Sequence, residues 1–324
     1  MKRFVWVILS LAIFSSCKKE LSDNFTAYNG AINDTTWKTT AEARVAIAAK
    51  LADLFQVNTY AYSVDVSQGA TNTLPGSEIT APAAFCAVGA TPLYTGVAEM
   101  ELTFIKKKGD FIRLGQSTVA KGIVVNAVAG YNLSITSQSG TQLTPVAGAP
   151  VQILIQADKP SSQAKLFYTG IDNTGNFTWV QAGDADGTIK AFTNGNGSSI
   201  SSGYDLTLKR WGWLGCGSYV DTSLPTSTVT AILPVNYTNM NTIVYVVFKN
   251  QLSVVRLTPD TFGKVFFTNN IPQNSDVAIV AIAKRGDDIY YGSTSLSVAK
   301  GNNIVKVSPQ VVTRAQLASL LDAL

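Results

Sequence analysis

Seven short apolar segments, regularly spaced over about eighty residues, set the tightest bound on how this chain can fold. They are Ser227–Leu233, Thr242–Lys249, Leu252–Leu257, Lys264–Thr268, Val277–Ala283, Asp288–Thr294 and Asn303–Val307. Turn-forming residues separate them, among them Lys249-Asn250-Gln251 and the run Lys284 to Asp288. A helix needs ten or more residues to bury a face, so segments this short between turns predict strands. As a set they predict a β-sandwich of immunoglobulin-like or transthyretin-like layout.

The chain upstream carries the same signal. Only 14% of residues are charged and 25 are glycine. Val, Ile, Thr, Tyr and Phe are abundant, and these residue types fit a pleated, half-buried surface. The period switches to two from Asn58 onward. Glu99–Ile105 alternates, Lys106–Asp110 reads as a turn, and Asp110–Leu114 returns, which predicts a hairpin. Thr118–Val128 and Tyr131–Thr136 follow, and a Gly/Pro-rich stretch from Ser139 to Pro150 closes that unit. Val151–Ile155, Lys165–Thr169, Phe177–Val180, Thr188–Phe192 and Tyr204–Lys209 predict a further set of strands.

Two helices frame the strands. Thr39 and Glu42 form a capping-box pair ahead of Ile47, Ala48, Leu51, Leu54 and Phe55 on one face. Thr313 and Gln316 do the same ahead of Leu317, Leu320, Leu321 and Leu324. The expected fold class is therefore mainly β. It has two or three antiparallel β-sandwich domains, one short N-terminal helix and one C-terminal helix.

The first twenty residues read as an address. Lys2 and Arg3 precede the apolar run Phe4–Phe14, then come Ser15, Ser16 and Cys17, and charge resumes at Lys18. A basic start, a short apolar stretch and a small-residue cleavage site make a secretory signal. The run is too short for a bilayer span, which takes roughly twenty residues. A cysteine directly after the cleavage site resembles the lipobox of bacterial lipoproteins, and that resemblance implies acylation of Cys17. The domain plan is a signal peptide over 1–16 and a lipidated tether over 17–38. A helix-plus-β domain over 39–139, a middle sandwich over 140–216 and a C-terminal sandwich with terminal helix over 217–324 follow.

Several chemistries are constrained at once. The chain has no histidine, which excludes Ser-His-Asp triads, Cys-His dyads and His-ligated metals. Removing residues 1–16 takes two of its 25 bases against an unchanged 21 acids, so no basic face for nucleic acid is implied. Cys86 and Cys216 remain, expected in different domains as two buried free thiols, a disulfide between them being the less favoured alternative. Gly183-Asp-Ala-Asp-Gly187 offers Asp184 and Asp186, with Asp172, as oxygen ligands for calcium. It lacks the full EF-hand pattern, and Asp-Gly is ordinary turn chemistry. Glu78, Glu99, Glu101, Asp287 and Asp288 are the acids from which a glycosidase pair would be drawn. Outward-facing Glu on an amphipathic strand is the plainer reading. Trp179, Trp211, Trp213 and Tyr219, with Tyr204, offer a sugar-stacking surface or inter-sheet core. Trp211 and Trp213 are expected on one face, with Gly212 marking a close backbone approach.

Gly76-Ser-Glu-Ile-Thr-Ala-Pro82, Gly96-Val-Ala-Glu-Met-Glu-Leu102 and Lys108-Gly-Asp-Phe-Ile112 resemble a ZU5-like module of Bacteroidetes-type outer-membrane and cell-surface lipoproteins. Leu166-Phe-Tyr168, Gly175–Val180, Tyr204–Trp213 and Thr242–Phe248 continue the likeness. Val146–Ile153 with Asp172–Phe177 also resembles carboxypeptidase-regulatory-like sandwiches, which are accessory folds. The resemblance implies no catalytic or ligand residue. Together these readings lead us to expect a non-catalytic, lipid-anchored envelope protein that presents β-sandwich modules for adhesion, scaffolding or envelope assembly. It would sit in the outer membrane, surface-facing, with no cofactor, no nucleic acid and an unidentified protein or glycan partner. The alternative is a carbohydrate-binding surface lipoprotein using the tryptophan-rich region.

Overall fold

The computed structural model describes residues 34–89, 92–171, 177–193 and 200–324. The fold is mainly β, with 52% strand and 10% helix. Four sheets stack face to face over residues 59–312, and they are numbered here in the order they lie. Sheet 1 has five strands, ordered Gly187–Thr193, Ser202–Leu208, Val151–Gln156, Ser77–Ala81 and Ala70–Leu74. Sheet 2 has seven, ordered Thr59–Asp65, Val97–Ile105, Ile123–Ser137, Gly212–Tyr219, Lys165–Ile171, Phe177–Gln181 and Val119–Ala120. Its last strand also pairs with Ile123–Ser137, so the sheet curls back on its own longest strand. Sheet 3 is ordered Val254–Arg256, Thr242–Phe248, Asp276–Arg285, Asp288–Ser297 and Gln310–Val312. Sheet 4 is ordered Thr258–Asp260, Val265–Pro272, Thr226–Ile232 and Asn302–Lys306, and its last pair is parallel.

Each gap between sheets holds its own core. Sheets 1 and 2 share Ile79, Ile153 and Leu206 against Met100, Leu102 and Leu133. Sheets 3 and 4 share Val244, Val246 and Ile279 against Val229, Ala231 and Phe266. Between them a central core joins Ile105, Phe167 and Trp179 of sheet 2 to Ile243, Tyr245, Val280 and Ile282 of sheet 3. Thr242–Phe248 is accordingly buried along its whole length, alternate residues feeding two cores. A strand covered on both faces reads as an unbroken apolar run, as this one does.

Three helices close the central core. Helix α1, Thr40–Leu51, starts at the Thr39–Glu42 capping box and buries Ala43, Ile47 and Leu51. Helix α2 is Lys108–Arg113. Helix α3, Arg314–Asp322, starts at the Thr313–Gln316 box and buries Leu317 and Leu321. Both capped helices stand where the sequence places them. Leu320, expected on the buried face of α3, is only half covered.

Three expectations are corrected. The hairpin returning over Asp110–Leu114 is helix α2. Val97–Ile105 already pairs with Thr59–Asp65 on one edge and Ile123–Ser137 on the other, leaving no edge for a return strand. Phe111 and Ile112, adjacent in sequence, are both fully buried, which an amphipathic strand does not permit. The boundary at 139/140 is also corrected. Ser77–Ala81 pairs with Val151–Gln156, and Ile123–Ser137 pairs with Gly212–Tyr219, so both sheets take strands from either side of it. Finally, Cys86 and Cys216, expected in different domains, lie in the same core.

Candidate functional site

Helix α1 does not seal the central core completely. Beneath it a cavity of about 250 Å³ is bounded by Ile47, Leu51, Phe55, Phe177, Ile243 and Tyr245. Arg44, Arg113 and Arg256 also line it, and no Asp or Glu does. Tyr245 and Arg256 are directly opposed on neighbouring strands of sheet 3, so their side chains lie together on the face beneath α1. Tyr245 is fully buried, and its hydroxyl has no hydrogen-bond partner among the described residues. Burial pushes the Tyr245 hydroxyl pKa up, and the nearby Arg256 charge works against that shift.

The arginines are held differently. The Arg113 guanidinium donates to Asp110 Oδ1 at 2.8 Å, Asp322 Oδ1 at 2.9 Å and the Ala318 carbonyl at 3.0 Å. Its charge is therefore answered. Arg256 is anchored through its backbone N–H, which donates to Ser117 Oγ at 3.1 Å. Among the described residues its half-buried guanidinium forms no ion pair. A second, larger cleft of about 490 Å³ is also lined by Arg256 and Phe177. Trp179 forms part of its wall, with an indole Nε1 that is buried and unpartnered. Three donor side chains thus line two hollows that share Phe177 and Arg256, and neither hollow has a carboxylate in its wall.

The aromatic residues singled out from the sequence are core more than surface. Trp179 is 1% exposed and packs on Phe167 at 5.3 Å and Phe111 at 6.0 Å between ring centroids. It is no stacking platform for a sugar. Tyr219 is half-buried and meets Phe167 edge-on at 5.6 Å. Trp213 packs against the central core and Trp211 against the core of sheets 1 and 2, so the expected common face does not exist. The backbone turns over between them at Gly212, φ +105°, where a side chain would meet nothing within 4 Å. Gly212 thus serves conformation, not close approach. The close approach is at Gly215, where an added Cβ would stand 2.5 Å from the Trp179 ring.

The acids are dispersed. Glu78 lies on sheet 1, while Glu99 and Glu101 lie on sheet 2, where Glu99 accepts from Ser63 Oγ at 2.8 and 3.0 Å. Asp287 and Asp288 belong to the tight hairpin after Arg285. Asp186 accepts from the Gly183 N–H at 3.2 Å and pairs with Arg210 at 3.5 Å; Asp184 offers its carbonyl to Lys209. The Asp186 carboxylate thus does turn work, and among the described residues no three His, Cys, Asp or Glu side chains are grouped to hold a metal ion. Asp172 and Cys17 lie outside the described residues. Cys86 and Cys216 are free and buried. No protein-family model and no curated protein matches the chain.

Sequence reasoning missed the Tyr245–Arg256 pair. The available signal was Arg256 itself, the single charge in the segment Leu252–Leu257.

Proposed function

We propose that this chain is a non-catalytic binding protein of the bacterial envelope, held at the outer membrane through an acylated Cys17 and facing the cell surface. One observation carries the reading: the lipobox-like sequence of Met1–Cys17 stands ahead of a stack of sheets on which Glu99 accepts from Ser63 and Asp186 serves a turn and an ion pair. Glu78 and the Glu99–Glu101 pair sit on different sheets, which does not favour paired-carboxylate hydrolysis. The burial of Trp179 likewise moves the weight away from a tryptophan platform for glycans and towards display of a rigid β body.

The anchor is tested by metabolic labelling with an alkyne fatty acid in cells expressing wild type or Cys17→Ala. Label on the wild type alone supports the reading, and label on the mutant overturns it. Orientation is tested by protease shaving of intact cells. Cleavage before the outer membrane is permeabilised supports surface display; cleavage only afterwards makes a periplasm-facing position the better account.

A further inference from the structure

A cavity wall made of apolar side chains and arginines, with no carboxylate, specifies what should fill it. Arg256 can only donate, Trp179 Nε1 can only donate, and the Tyr245 hydroxyl has nothing to donate to. Buried polar groups are normally hydrogen-bonded, and two unpartnered donors flanking one half-buried arginine in a small region need an explanation. Neutral water would satisfy the donors but would leave the half-buried arginine without a counter-charge. An anion answers both. The remaining wall, Ile47, Leu51, Phe55 and Phe177, offers nothing polar from its side chains and favours an apolar body.

We infer that the cavity beneath α1 binds a small amphipathic carboxylate. The acid group lies against Arg256 and Tyr245, and the apolar body lies against Ile47, Leu51, Phe55 and Phe177. The size fits. At roughly 30 Å³ for each water-sized group, 250 Å³ takes about eight to ten heavy atoms. Phe177 is 40% exposed at the edge shared by both hollows, so a longer apolar body would run out past its ring. Arg113 adds no bond to the ligand, because its donors are already engaged by Asp110, Asp322 and Ala318. Arginine suits this role because its planar fork holds a carboxylate through two parallel hydrogen bonds.

This inference stands apart from the lipid anchor, since the cavity is built wholly from residues 44–256. The test uses the full-length chain in lipid nanodiscs, titrated with phenylacetate and with phenylacetamide, its neutral near-isostere, by calorimetry. Empty nanodiscs are subtracted. Phenylacetate should bind at least tenfold more tightly than the amide, with a stoichiometry of one. Arg256→Gln should abolish that preference, and Arg256→Lys should keep part of it. Tyr245→Phe should weaken phenylacetate several-fold without lowering the melting temperature, since only an unpartnered hydroxyl is removed. Equal affinity for acid and amide, no saturable binding of either, or an Arg256→Gln variant that still prefers the acid would each overturn the assignment.

Discussion

Gly215 and Trp179 show how much of this fold is settled one atom at a time. The indole occupies the space that a Cβ at position 215 would take, at 2.5 Å from its nearest ring carbon. Gly215→Ala should therefore force the Trp179 ring off Phe167 and cost about 1–3 kcal/mol, as overpacking does. Urea unfolding followed by fluorescence measures it; an unchanged midpoint would mean that the ring yields freely. The two thiols give a second test. Burial holds Cys86 up at about 11 and Cys216 up at about 12, against an ordinary 9.0. The folded values lie above the unfolded one, so the unfolded chain loses these protons first. Their contribution to stability is whole below pH 9, and falls as pH rises from there towards the folded values of about 11 and 12. Neither thiol should react with an aromatic disulfide reagent in native protein at pH 8, and both should react once it unfolds. The buried free thiols were legible in the sequence. The Trp179–Gly215 contact was not, because it depends on strand register between distant segments.

Elements were legible where local chemistry decides them and obscure where neighbours do. The capping boxes at Thr39 and Thr313 sit within four residues of chain, and both helices start where those boxes place them. Helix α2 is the opposite case. Its sequence reads as a strand returning from a turn, and the occupied edges of Val97–Ile105 deny it that place. It becomes a single helical turn and a half, wedged between α3 and sheet 3, with Phe111 and Ile112 sunk into the central core. Gly109 makes the wedge fit, since a Cβ there would stand 2.1 Å from the Leu321 carbonyl oxygen and 3.0 Å from its side chain. Backbone cannot give way as a flexible side chain can. Gly109→Ala should push α3 outward and uncover Leu317 and Leu321, at a cost of about 2–4 kcal/mol, since it combines overpacking with lost burial. Hydrogen exchange should show α3 amides losing protection far more than those of sheets 1 and 4. Uniform loss across the molecule would argue against a local displacement.

At the scale of the molecule, the sandwich of residues 226–312 was readable from its regular segments, whereas the interleaving upstream was not. Period-two alternation says that a strand has two faces but not which distant strand lies beside it. Sheets 1 and 2 both draw strands from before and after the Gly/Pro-rich stretch at 139–150, so no cut there leaves two complete sandwiches. The central core extends the argument further. Ile105, Phe167 and Trp179 face Ile243, Tyr245 and Ile282 across it, with Leu51 and Leu317 of the flanking helices filling its margins. Hydrogen bonds cross the same boundary, from Thr118 N–H to the Val254 carbonyl at 2.7 Å and from Ala127 N–H to the Leu252 carbonyl at 3.0 Å. Separating the upstream pair of sheets from the downstream pair would expose this apolar surface and strand those backbone groups, which independent domains do not tolerate. The two halves should therefore unfold together. Calorimetry should give one endotherm with equal calorimetric and van't Hoff enthalpies, and Ile282→Ala, at the shared core, should shift the whole of it downward. Two resolved transitions, with only the later-sequence half moved by Ile282→Ala, would show that the central core is a contact between independent domains and not part of one folding unit.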